Sequence, residues 1–162
     1  MFRMSASACI DAPAGVVWAH LARLDQLHLW TDMVHRSYIS SPCTTGVDAE
    51  RTCELAGGRR LHERVVAWDE GRSFTYVSSD APMMKFARNT WSVTAMGDRA
   101  MVTSDAEVEF RGGWLGRALG WLFLPLMQRL LPNPMVKLKF WVEHGRPYDG
   151  KASSLPVPAA IC

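Results

Sequence analysis

The chain has 162 residues, a formal charge of +2, 48% hydrophobic residues and 21% charged residues. That size suits one domain burying ~70% of the surface its unfolded form exposes. The scattered Lys and Arg form no basic stripe, so nucleic acid is not expected as a partner.

The start, MFRMSASACIDAP, lacks the continuous apolar run and small-residue cleavage site of a secretory signal, and a cytoplasmic location is expected. Cys9, Cys43, Cys53 and Cys162 are widely spaced with no C-x-x-C pattern, which fits reduced thiols. The oligomeric state has no signature.

Residues 4 to 10 alternate Met4, Ala6, Ala8 and Ile10 against Ser5, Ser7 and Cys9, the two-residue period of a strand with one buried face. Asp11-Ala12-Pro13 opens a helix with Pro13 at its first position, and Val17, Leu21 and Leu24 give it an inward stripe. A second short helix is expected from Asp25 to Trp30. Six strands follow: Val34 to Ile39, Ala49 to Leu55, Leu61 to Trp68, Ser73 to Ser79, Ala87 to Ala95 and Met101 to Phe110. Their close spacing, with turns at Gly57-Gly58, Asp69-Glu70-Gly71 and Gly97-Asp98, favours an antiparallel meander.

From Gly113 to His144 the chain is expected to be one long apolar helix that plugs the curved sheet, with apolar recurrence at Trp114, Ala118, Trp121, Leu122, Met135, Leu138 and Val142. Pro132-Asn133-Pro134 should bend or break it, and Gly145 with Pro147 should end it. Arg117, Gln128 and Arg129 leave too short a clean run to span a bilayer. Trp114, Trp121 and Phe123 would suit a membrane interface, which stays as the minority reading beside a core helix. Residues 1–147 therefore form the domain, and the polar, Pro-containing tail 148–162 is expected to be disordered.

This order of elements is that of the helix-grip fold, an α+β arrangement in which a curved antiparallel sheet of about seven strands wraps a long C-terminal helix. The stretches IDAPAGVVWAHLARLDQLHLW, LHERVVAWDEGRSFTY and LKFWVEHG, with the approach from Gly46 to Arg51 and with Trp91, resemble the polyketide cyclase/dehydrase and lipid-transport branch of the START and birch-pollen-allergen superfamily. The resemblance covers residues 4 to 145. It implies a cavity for a hydrophobic small molecule, whether polyketide, aromatic or lipid-like, and leaves the chemistry open between carrier, cyclase and dehydratase.

Alternation puts Leu61, Glu63 and Val65 on the inner side of their strand, and Arg51, Cys53 and Leu55 on the inner side of the preceding one. Arg51 is thereby brought diagonally near Glu63. An inward ion pair is costly to desolvate, so its presence suggests a polar task. In an enzyme, Arg51 would polarise a carbonyl and Glu63 would take the neighbouring proton. The structural alternative, a pair that fixes the hairpin, is preferred.

Phe74, Tyr76, Ser78, Asn89 and Trp91 would line an aromatic pocket with hydrogen-bonding groups. Met83, Met84 and Phe86 are expected in a loop that could gate its entrance, and Trp121 would reach it from the helix. The five histidines have no metal-ligand spacing, so no metal or cofactor is expected. A peripheral membrane module, docking through the apolar helix or the Met83-Met84 loop, is the remaining alternative to a ligand carrier or an enzyme.

Overall fold

The computed structural model describes residues 1–79, 84–130 and 132–162. Strand β1 (Phe2–Ile10) leads into α1 (Ala14–Leu21) and a 3-10 helix over Leu24–Leu29. The meander then runs β2 (Val34–Ile39), β3 (Glu50–Leu55), β4 (Arg60–Asp69), β5 (Ser73–Ser79), β6 (Met84–Met96) and β7 (Arg99–Phe110). Two helices, α2 (Gly113–Leu130) and α3 (Asn133–His144), close the order, followed by a short 3-10 turn at Ala152–Ser154.

All seven strands form one antiparallel sheet in the order β1-β7-β6-β5-β4-β3-β2, so every hairpin is a neighbour pair and β1 returns beside the last strand. Alternation sets the faces. In β7, Ala100, Val102, Ser104 and Val108 are buried on one side, and Asp105 on the other side is exposed. This is the expected helix-grip architecture.

The long C-terminal helix is where sequence and structure part. It is broken as Pro132-Asn133-Pro134 foretold: α2 ends at Leu130, α3 starts at Asn133, and Gly145 caps α3 in the left-handed conformation. The two halves have different roles. Helix α3 plugs the sheet, burying Met135, Leu138 and Trp141 in one cluster with Trp18, Leu21, Trp30, Phe74, Trp91 and Val102.

Helix α2 lies instead against the ends of β7 and β1, with Gly120 buried so closely that a Cβ there would overlap the Phe2 ring and come 2.9 Å from Phe110 Cδ2. Its Trp114, Leu115, Trp121, Leu122 and Leu126 face outward. The apolar pattern counted hydrophobic residues but could not say which face a sheet would cover.

The C-terminal tail, expected to be disordered, lies against the body. Ala152 is buried and donates its N–H to Asp32 Oδ2 at 2.9 Å, and Cys9 N–H on the open edge of β1 donates to Ala159 O at 2.8 Å. Cys9 and Cys162 form a disulfide, with Cα atoms 5.1 Å apart, while Cys43 and Cys53 are free thiols. The expectation of four reduced thiols is corrected for that pair. Their separation of 153 residues hides a proximity that only the folded path of the tail creates.

Asp32 also holds the buried Lys137 ammonium at 2.9 Å. Partial burial works to raise the Asp32 pKa, but the Ala152 N–H and Lys137, with help from Lys151, hold it below its ordinary value of 3.8. Its stabilising contribution is thus present above that value and fades as pH falls through the lower, folded one. Replacing Asp32 by Asn should cost about 1–3 kcal/mol near neutral pH, less than for a fully enclosed pair because Asp32 keeps some exposure. Thermal melts of both proteins near neutral pH and in acid check this: the gap should narrow in acid, and a gap that widens contradicts the assignment.

Candidate functional site

The candidate site is built on the concave face, where β3, β4, β5, β6 and β7 each contribute one or two polar side chains. Arg51 stands directly opposite Glu63 in the β3–β4 register, and Glu63 directly opposite Ser78 in the β4–β5 register. The diagonal relation expected for Arg51 and Glu63 is therefore a face-to-face one. The turn at Gly57 and Gly58, both at positive φ, sets this register.

Both members of the pair are buried, at 3% and 7% exposure. Arg51 Nε donates to Glu63 Oε2 at 2.5 Å, Cys53 Sγ donates to the same oxygen at 3.6 Å, and Ser78 Oγ donates to Oε1 at 3.2 Å. Arg51 Nη1 reaches the Leu24 carbonyl at 3.5 Å, and the guanidinium lies 4.8 Å from the Tyr76 ring centroid. Its Nη2, like the indole Nε1 of buried Trp30, finds no partner among the described residues. Two buried donors left without an acceptor are unusual in a packed interior.

The row continues across the sheet. Asn89 Nδ2 donates to Tyr76 Oη at 3.3 Å, and Ser104 Oγ donates to Asn89 Oδ1 at 2.9 Å. Burial disfavours charge on Arg51, but the Glu63 carboxylate, with smaller contributions from Tyr76 and Cys53, more than offsets that and raises its pKa. Burial, reinforced by the Glu63 charge, pushes the Cys53 thiol and the Tyr76 phenol each up to about 12, so both are neutral. Cys53 is a poor nucleophile in this setting. Both Glu63 oxygens already accept hydrogen bonds.

The concave face is not uniformly filled. At the α3 end, Ile10, Phe74, Val93 and Val102 are enclosed. At the other end, side chains on the same face remain partly accessible: Leu55, Leu61, Ser78, Met84, Ala87, Asn89, Ala106 and Phe110. Phe110 there packs at 5.8 Å on Phe2, which meets Trp121 of α2 at 6.0 Å between ring centroids.

Of the residues singled out from sequence, the structure groups Arg51, Glu63, Tyr76, Ser78 and Asn89. Phe74 and Trp91 lie deeper, in the packed cluster. Met84 and Phe86 belong to β6 rather than to a loop, since Met84 pairs with Phe110 and Phe86 with Glu109 across a bulge. Met83 lies outside the described residues. Trp121 is 69% exposed on the outer face of α2, away from the concave face, because the break at Pro132 frees α2 from plugging the sheet. Sequence reasoning missed the Leu24 carbonyl, which the 3-10 segment carries to Arg51, and the buried indole of Trp30, which packs on Trp91. Ser104 was legible as an inward position of β7.

An open groove of about 550 Å³ is lined by Glu50, His62, Arg64, Val77 and Phe86, and also by Glu63, Ser78 and Met84. By register the first five face outward and Glu63, Ser78 and Met84 face inward, so side chains from both faces of the sheet line this groove. Among the described residues no three His, Cys, Asp or Glu side chains converge as metal ligands would.

The family model for polyketide cyclase/dehydrase and lipid transport matches residues 1–134. The chain belongs to that family. Its sheet and helices are similar to a crystal structure of a Thermus thermophilus protein, at 19% identity and TM-score 0.72, covering 89% of this chain and 99% of the other. They are also similar to a START superfamily protein of Mycobacterium smegmatis, at 13% identity and TM-score 0.61, with 88% and 97% covered. Norcoclaurine synthase of Thalictrum, bound to a transition-state analogue, gives 13% identity, TM-score 0.67, and 89% and 95% coverage. Among curated proteins none matches. At these identities the structural likeness shows the fold, and fold with family together indicate a binder of a hydrophobic ligand.

Proposed function

We propose that the chain binds a hydrophobic small molecule bearing one oxygen acceptor, in the half-accessible end of the concave face between the sheet and α2. The observation that carries this reading is the unpartnered Arg51 Nη2, buried on a face whose end away from α3 keeps side chains partly accessible. A carbonyl or carboxylate oxygen would satisfy that donor, and Leu55, Leu61, Met84, Ala87 and Phe110 would take the apolar body. Glu63 then orients Arg51 and balances its charge, with Ser78 and Cys53 holding the carboxylate in place.

The carrier reading is favoured over a cyclase or dehydratase because both Glu63 oxygens are engaged by donors, leaving the carboxylate poorly placed to take a substrate proton. Native mass spectrometry of the freshly purified chain should show a co-purified lipid-like, aromatic or polyketide-like mass. Anilinonaphthalene sulfonate, apolar with one anionic acceptor, should bind with enhanced fluorescence. Glu63→Gln should still bind the dye with altered affinity. A chain that carries no mass and leaves the dye dark in water sinks the reading. Turnover of the co-purified molecule that Glu63→Gln abolishes, with binding intact, would establish the enzyme instead.

A further inference from the structure

We infer that the outward face of α2 is a docking surface for an anionic lipid bilayer. Five large apolar side chains lie exposed on one helix: Trp114 at 76%, Leu115 at 56%, Trp121 at 69%, Leu122 at 74% and Leu126 at 51%. At 100° per residue they fall within an arc of roughly 140°, opposite Gly120, which anchors the helix on Phe2 and Phe110. The helix therefore presents a continuous apolar stripe while its other side holds it to the sheet. Exposed Met1 lies beside Trp114 across a groove of about 350 Å³ whose wall also carries the Lys85–Glu109 ion pair, so the acid-free surface is that of the helix itself. A patch this contiguous marks an interaction site rather than ordinary surface scatter.

Charge selects the occupant. From Arg111 to Val142 the sequence contains no Asp or Glu, and Arg111 and Arg129 are exposed at the two ends of the stripe. Tryptophan and leucine flanked by arginine, with no acid among them, suits a helix lying in the interface plane: the rings sink to headgroup level and the guanidinium groups meet lipid phosphates. A second copy of this chain would set the same acid-free, arginine-flanked face against itself, a like-charge arrangement that works against a self-complementary contact. Among the described residues no helix is long and apolar enough to cross a membrane, so the contact is with the surface. This surface is independent of which ligand the concave face holds.

The test is co-sedimentation of the full chain with phosphatidylcholine vesicles, with and without phosphatidylglycerol. Binding should be stronger to the anionic vesicles and weaken at high salt, with a blue shift of tryptophan emission on binding. Arg111→Gln with Arg129→Gln should reduce the anionic preference by roughly 30-fold. Trp121→Ser with Leu122→Ser, at exposed positions and verified as folded by circular dichroism, should abolish binding to both vesicle types. No sedimentation of the folded chain with anionic vesicles overturns the proposal. So does a dimer in analytical ultracentrifugation that Trp121→Ser dissolves, since the face would then be covered by a second copy.

Discussion

Arg51→Met should lower the unfolding free energy by about 3–5 kcal/mol, while Arg51→Met combined with Glu63→Leu should restore most of the loss. The single change strands a carboxylate at 7% exposure, with only Ser78 and Cys53 donating to it. Its partner at 2.5 Å is gone. The double change removes both charges and fills the space with side chains of similar volume, which often preserves or improves stability.

Urea unfolding of the four proteins in the cycle measures the coupling. A double variant as unstable as the single would show that the pair is not the source of the loss. The same cycle separates stability from function. The double variant should fold and yet fail to enhance anilinonaphthalene sulfonate fluorescence, because the unpartnered Nη2 donor leaves with Arg51.

Breaking the Cys9–Cys162 link should cost up to about 5 kcal/mol, the chain-entropy expectation for a loop that closes nearly the whole polypeptide. The native side of the balance is local. The tail is otherwise tied by the Ala152 N–H on Asp32, by Cys9 N–H on Ala159 O and by the buried Ala152 side chain. Once the bond is cut, the last residues can leave the edge of β1 while Ala152 stays tied to Asp32, which relieves part of the cost and makes the figure an upper one. Denaturant midpoints with and without reductant should differ for the natural chain and coincide for Cys162→Ser. Coincident midpoints for the natural chain would contradict a stabilising link.

Much of the fold was legible because it depends on local periodicity. Two-residue alternation located the strands, and every strand except β6 matches to within about two residues at both ends. Pro132 and Pro134 marked the helix break, since neither can supply a backbone N–H to continue the ladder. Alternation also placed Arg51, Glu63, Tyr76, Ser78 and Asn89 on one face, because a strand with one buried side admits only one assignment.

The remaining features depend on contacts between residues far apart in the chain, for which local pattern carries no information. The largely apolar texture of residues 113 to 144 was the same for a plug and for an exposed stripe. Packing of Gly120 onto Phe2 and Phe110 decided that α3 fills the grip and α2 does not. The 3-10 segment brings the Leu24 carbonyl to one Arg51 nitrogen and offers no acceptor to the other, a result that spacing along the chain could not foretell. The joining of Cys9 to Cys162 likewise follows from where the tail is carried. By itself, then, the sequence determined the strands, their faces and the helix break, through propensity and period. Only the tertiary structure decided which apolar surface is covered and which polar donor is left without a partner, because burial is a property of the assembled whole.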